Sequence, residues 1–446
     1  MWQKTTKAFE WDGQLPLFQR VRVDFPRPQA GNVPEAVHRA INELVPLPLP
    51  LEGKRVAITA GSRGISQIPE ILAAVVDWLR QRGAQPFVIP AMGSHGGATA
   101  DGQRLMLAEL GMDETSLGAP VVSSLETIEL GRLPNGMPVY IDKHAFEADA
   151  IVIVNRIKPH TDFIGDFESG LAKMAAFGMG KLRGADTLHR YGVQGLQTLM
   201  PEAARFICQC APVIFGLATI ENAYHEVAHV VALPPEGIGG KQETELLQLA
   251  YSLMPRFPFP EIDVLVVEEM GKNISGVGMD PKVIGRVKVH GVSDLAECSI
   301  RTIAVLRLTG EAHGNASGIG LADVTTQRLV QDIDFEATYL NCITSGITGI
   351  QRALLPMVAP TDRAAIETAL RVCGQPETQY ARVVRIKNTL SLGEIDVSMD
   401  LLKEALPDCR LSPIGDVFEL PFDSEENLIS ITSSHYLKGL TLLETH

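Results

Sequence analysis

The sequence predicts an α/β protein of two α/β domains, each with a mainly parallel sheet, and an active site in the cleft between them. Three observations carry that expectation. Short β-branched apolar runs alternate with segments of helical periodicity, the pattern of parallel strands joined by crossover helices. Glycine-rich turns follow two of those runs directly. A chain of 446 residues exceeds what one core organises, and a proline-rich join, MPRFPFPEI, lies near residues 254–262. The domains are therefore expected as 1–260 and 261–446, with about 25 C-terminal residues allowed to return to the first.

Residues 1–50 read as strand, loop and short helix, closing in PLPLPL (46–51), a stiff proline connector. A βαβ unit follows. Arg55–Ala60 is a strand, GSRG a turn, Ile68–Arg82 a helix with Ile71, Leu72, Val75, Val76 and Leu79 on one face, and Gln85–Pro90 the next strand. A right-handed crossover makes the two strands parallel neighbours. Their turns, GSRG and GSHGG, then leave on one edge of the sheet, where open α/β sheets bind ligands. Thr99 is placed to cap a helix starting near Ala100, with Asp101 in its first turn. Ala150–Val154 is a buried strand running into Asn155-Arg-Ile-Lys-Pro-His160, and Pro212–Ala218 is another. Asp263–Val267 opens the second unit.

Composition excludes several classes. The formal charge of −14 repels a phosphate backbone, so no nucleic-acid partner is expected. No apolar run reaches the length of a membrane span, so no membrane partner is expected either. The N-terminal MWQKTTKAFEWDG lacks the apolar core of a signal peptide, and the six cysteines form no CxxC pair. Reduced thiols in the cytoplasm are the expectation. A homo-oligomer stays open.

Two motifs invite chemistry that their context does not support. Ala60-Gly-Ser-Arg-Gly lacks the full GxGxxG of a dinucleotide turn and has no acidic residue about 20 residues on. His225-Glu-Val-Ala-His229 fits the HExxH of a zinc hydrolase, but HVVALPP reads as a strand stopped by prolines. Other residues gather more chemistry. Gly93, Ser94, Gly96 and Gly97 surround His95; the glycines allow close approach, and the turn's N–H groups face an anion. Arg63 on the ligand edge is a fork for a carboxylate. In GLAKMAAFGMGK, Lys173 stands among apolar residues, where a lysine tends to lose its proton and become nucleophilic; the plainer alternative is a surface lysine on an amphipathic helix.

Arg63 in AGSRG, His95 in GSHGGAT, His160 in NRIKPHTDF, Lys173 in SGLAK and His189 in DTLH resemble, in order and spacing, the nickel-dependent lactate racemase family over about residues 50–195. The resemblance is nearest to the branch carrying GSHGGAT and GVGMDPKVIGR. It implies a nickel-pincer nucleotide covalently attached to Lys173, with His189 as the metal ligand and Gly93, Ser94, Gly96 and Gly97 beside the cofactor. It implies His95 and His160 as acid/base residues and Arg63 on the substrate carboxylate. The implied reaction is racemisation or epimerisation of a 2-hydroxy acid by hydride removal and return at C2 through a 2-keto acid. Two imidazoles suit it, because each enantiomer presents its hydroxyl differently.

The chain departs from the family at two places. The typical Asp-Asp-x-Thr-Arg-Pro turn is Thr59-Ala-Gly-Ser-Arg-Gly64 here, and the Tyr-Gln-x-x-Lys segment of the lactate pocket is not found. Lys272, with Asn273 beside it, follows the strand at 263–267 and is the substitute candidate for the substrate. These changes favour a sugar acid (an aldonate) over lactate. Partners implied are that small-molecule substrate and the cofactor-synthesis proteins, without which an apoprotein is expected. The competing classes are a non-catalytic nucleotide- or carboxylate-binding protein and a zinc hydrolase using HEVAH.

Overall fold

The computed structural model describes residues 6–433, apart from 45–46, 48, 62–63, 94, 162, 290–292, 295–297 and 406–407, and leaves out the side chains of 344 and 346–348. Pro46 and Pro48 of the PLPLPL connector thus lie outside the described residues. The chain forms two compact units, residues 26–254 and residues 1–25 with 255–446. The join falls inside the proline-rich segment. The N-terminus corrects the expected boundary: β1 (Phe18–Val23) is a strand of the second unit.

The 26–254 unit is built on β2 (Arg55–Ala60), β3 (Gln85–Pro90), β6 (Ala150–Arg156), β7 (Val213–Glu221) and β8 (Val227–Leu233), in the order β3-β2-β6-β7-β8. The first four run parallel, and β8 returns antiparallel to β7. A hairpin of β4 (Thr127–Arg132) and β5 (Pro138–Asp142) stands apart from this sheet. The continuous apolar runs are explained by helices on both faces. Val56, Ile58, Val88, Val152 and Val154 face a core with helices Val33–Asn42 and Ile68–Arg80. Ala57, Phe87, Ile89, Ile151 and Ile153 face another, with Leu171, Ala172 and helix Met200–Cys210. Chain order reverses at β2, between β3 and β6. That is the switch point at whose carboxyl edge such sheets bind ligands.

The other unit holds an eight-stranded sheet. β9 (Glu261–Met270), β10 (Ser299–Leu308), β11 (Val324–Thr326), β12 (Met357–Ala359) and β13 (Val383–Ile386) are its parallel part. β14 (Glu394–Ser398), β1 and β15 (Leu411–Phe418) extend it antiparallel. The segment at 428–431 belongs here too: Ile431 N–H donates to Glu268 and Leu428 N–H to Asp362. Of the C-terminal residues allowed to return to the first domain, those described stay in this unit, and 434–446 lie outside the described residues. Two mainly parallel α/β units are thus present, as the alternation of runs predicted. Among the described residues no helix is long and apolar enough to cross a membrane.

Candidate functional site

Three loops leave the carboxyl edge of the 26–254 sheet: 61–67 after β2, 91–99 after β3 and 157–170 after β6. All three meet one helical stretch. It begins as Leu171–Lys173, continues through a π-turn at Met174–Gly178, and resumes as Lys181–His189. A Cβ on Gly178 would stand 2.7 Å from the Ala91 carbonyl oxygen, so glycine is what lets the stretch lie against the β3 loop. π-turns of this kind recur at functional sites.

Lys173 and His160 are brought together. Nζ of Lys173 lies 2.6 Å from Nε2 of His160, and both residues are half-buried. Each is held from behind. The His160 backbone N–H donates to the Glu168 carboxylate, which also accepts from Gly165 N–H at 3.2 Å and the Tyr251 hydroxyl at 2.7 Å. The His160 ring lies 4.6 Å from the Phe163 ring. At the Lys173 end, Asn155 donates to the Gly170 carbonyl at 2.6 Å. The buried Glu243 carboxylate accepts from Ala172 N–H at 3.0 Å and Gly239 N–H at 2.8 Å. Burial pushes the Glu243 carboxyl above its usual range, against the pull of those backbone donors. Burial likewise pushes the Cys208 thiol up to about 12, so it stays a thiol.

The glycines around His95 answer to backbone geometry. Gly93, Gly96 and Gly97 all take positive φ, at 61°, 65° and 64°. A Cβ on Gly96 would also stand 2.6 Å from the Gln103 backbone nitrogen. Gln103, fully buried, donates from Nε2 to the carbonyls of Gly93 and His95 at 3.0 and 3.2 Å. Thr99 caps the helix Ala100–Glu109 as the sequence predicted, its Oγ1 accepting from Gly102 N–H at 3.0 Å. The His95 side chain is exposed.

His189 ends its helix on the surface, its ring edge-on to Phe177 at 5.1 Å. Phe177 also links it to the β3 loop: a Cβ on Gly93 would lie 3.7 Å from the Phe177 carbonyl and 3.6 Å from Cβ of Ala185.

The lysine that is fully buried in GLAKMAAFGMGK is Lys181, not the Lys173 the sequence singled out. Its Nζ lies 2.8 Å from Asp142 Oδ2 at the end of β5 and donates to the Pro90 carbonyl at the end of β3. It has φ of 52°, unusual for a non-glycine residue. Burial lowers its pKa, and Asp142 opposes that shift. This one ammonium ties together the β3 loop carrying His95, the hairpin, and the helix carrying His189. The turn after β2 has its own anchor. Glu221 accepts from Ser66 N–H at 2.8 Å and pairs with Arg156 at the end of β6.

Arg63 and Ser94, predicted at the site, lie outside the described residues. Lys272 is half-buried on the loop after β9 in the other unit, and Asn273 beside it accepts from the Thr309 hydroxyl at 2.7 Å. HEVAH lacks the helix a zinc hydrolase needs: His225 sits in the β7–β8 turn at φ 59°, and His229, on β8, pairs with Ile220 of β7. Its Glu226 is held well below the usual carboxylate range by Arg27, 2.6 Å away. Among the described residues no group of three or more His, Cys, Asp or Glu is placed to hold a metal. Gln103, Glu168, Tyr251, Glu243 and Asp142 were not predicted. Only the apolar flanks of GLAKMAAFGMGK hinted at a buried amine.

Residues 35–194 match the family described as the lactate racemase N-terminal domain. No curated protein matches the sequence. Similar solved structures include the lactate racemase apoprotein from Thermoanaerobacterium thermosaccharolyticum, 15% identical, covering 85% of this chain and 94% of that one at a TM-score of 0.49. A Thermotoga maritima protein solved by structural genomics is also 15% identical, covering 64% of this chain and 72% of that one at 0.46.

Proposed function

We propose that this chain, whose residues 35–194 match the lactate racemase N-terminal domain family, is a racemase or epimerase of a 2-hydroxy acid that works with a nickel-pincer nucleotide on Lys173. The observation that carries this reading is the 2.6 Å contact of Lys173 Nζ with His160 Nε2 at the carboxyl edge of the sheet.

The residues present suit that group. Lys173 offers a primary amine, and His189 an exposed imidazole of the kind nickel(II) accepts. Gly93 leaves the side of the β3 loop facing Phe177 without a side chain, which suits a flat ring. When bound, the group supplies an acceptor that takes the C2 hydride and returns it.

The chain's own residues do the rest. The loops of His95 and His160 leave β3 and β6, on either side of β2 and so about 10 Å apart at the sheet edge. That span suits two bases serving opposite faces of one small substrate. His160 takes the hydroxyl proton of one enantiomer and returns it, and His95 does so for the other. Arg63, cationic by type, is assigned to the substrate carboxylate, where a guanidinium binds both oxygens. The turn Thr59-Ala-Gly-Ser-Arg-Gly64 favours a substrate longer than lactate, a sugar acid.

The test is turnover of the cofactor-loaded chain on a panel of 2-hydroxy and aldonic acids carrying deuterium at C2. Inversion at C2 with the deuterium retained is expected. Loss of the deuterium to water, or no inversion across the panel, would overturn the reading.

A further inference from the structure

A hydrogen bond between two nitrogens needs one N–H and one lone pair, so two cations cannot occupy the 2.6 Å contact of Lys173 with His160. The geometry is fixed from both sides. Glu168, itself bonded by Tyr251, holds the His160 backbone and Phe163 lies against the imidazole, while Glu243 and Asn155 hold the start of the Lys173 helix. The amine therefore has a positioned proton acceptor in the chain itself, before any cofactor or substrate arrives.

From this geometry we infer that Lys173 is an activated nucleophile in the cofactor-free chain, capturing electrophilic carbonyl groups with His160 as its base. His160 then has two uses, one at attachment and one in turnover. The inference rests on the proposed function only in taking Lys173 as the attachment residue.

With an aldehyde the step balances as follows. The ammonium gives a proton to Nε2 of His160, and the amine lone pair attacks the carbonyl carbon. The C=O π electrons move to oxygen, which takes a proton, and nitrogen loses one, giving a carbinolamine. The imidazolium protonates the hydroxyl, which leaves as water while the C=N bond forms. One water is released for each imine, and nothing is oxidised or reduced.

Pyridoxal 5′-phosphate with cyanoborohydride, which traps the imine as a secondary amine, tests this on the full apoprotein by peptide mapping. Lys241, whose side chain is 89% exposed, serves as the reference in the same digest. In the wild type Lys173 is expected to label faster than Lys241. A positioned base is worth about 100-fold or more in rate, so His160→Gln and His160→Asn should lower the Lys173-to-Lys241 ratio by about that factor. Unchanged circular dichroism would show both variants folded.

A wild-type ratio at or below one overturns the inference without any variant. An unchanged ratio in the folded variants also overturns it. Failure here is separable from failure of the proposed function. A chain that takes up the nickel group at Lys173 with no dependence on His160 contradicts only this inference. A His160-dependent amine that never takes up the group contradicts only the other.

Discussion

Replacing Lys181 by methionine keeps the apolar stem and removes the charge. It leaves Asp142, itself fully buried, without the ammonium now 2.8 Å away, and leaves the Pro90 carbonyl without a donor. Removing one partner of a buried pair costs about 3–5 kcal/mol, mostly from the stranded charge. Lys181→Met should destabilise the 26–254 unit by that amount. Asp142→Asn removes the charge while keeping an oxygen for its cap on Ala145 N–H, at 2.9 Å in the wild type. The double variant should therefore be more stable than Lys181→Met alone, with a coupling of about 1–3 kcal/mol. Urea unfolding followed by Trp78 fluorescence reports on this unit, because Trp78 is its sole tryptophan and is buried. Trp2 and Trp11 would be changed to phenylalanine to isolate the signal. A loss below about 1 kcal/mol, or a double variant no better than the single, would refute the claim that this pair anchors the site.

Gly96→Ala should unfold or displace the His95 loop, since both its positive φ and the Gln103 backbone oppose a Cβ; Gly97→Ala, with open space around it, should cost only about 1–2 kcal/mol for its φ. Thermal melts of the two variants check the order, and equal losses would contradict it. Glu243 has a raised folded pKa, so the folded state binds its proton more tightly than the unfolded one. Its contribution to stability is fully present below the ordinary value of 4.5 and is lost as pH rises through the raised value. Denaturation series across that window in the wild type and in Glu243→Gln should diverge; parallel curves would contradict the burial argument.

What could be read from the sequence was local. β2 and β3 occupy the expected residues because alternation, glycine turns and the intervening helix all agree there. The Thr99 cap and the strand context of HEVAH were legible for the same reason. The capture of β1 by β14 and β15 was not, since no local pattern names a partner almost 400 residues away. The full burial of Lys181 was not legible, since a lysine is seldom buried unless paired and the sequence does not show its partner. The partner that distinguishes Lys181, Asp142, lies on a separate hairpin. Gln103, Glu168 and Tyr251 act through polar contacts to backbone or to one another. A polar residue bears no sign in sequence of whether it is buried and bonded.

The most direct measurement is the intact mass and peptide map of the chain produced together with the cofactor-synthesis proteins, with metal analysis of the same sample. The account predicts one covalent addition, located on Lys173 and lost in Lys173→Ala, and nickel bound in proportion to it. An unmodified Lys173 in a sample that inverts a 2-hydroxy acid would contradict it.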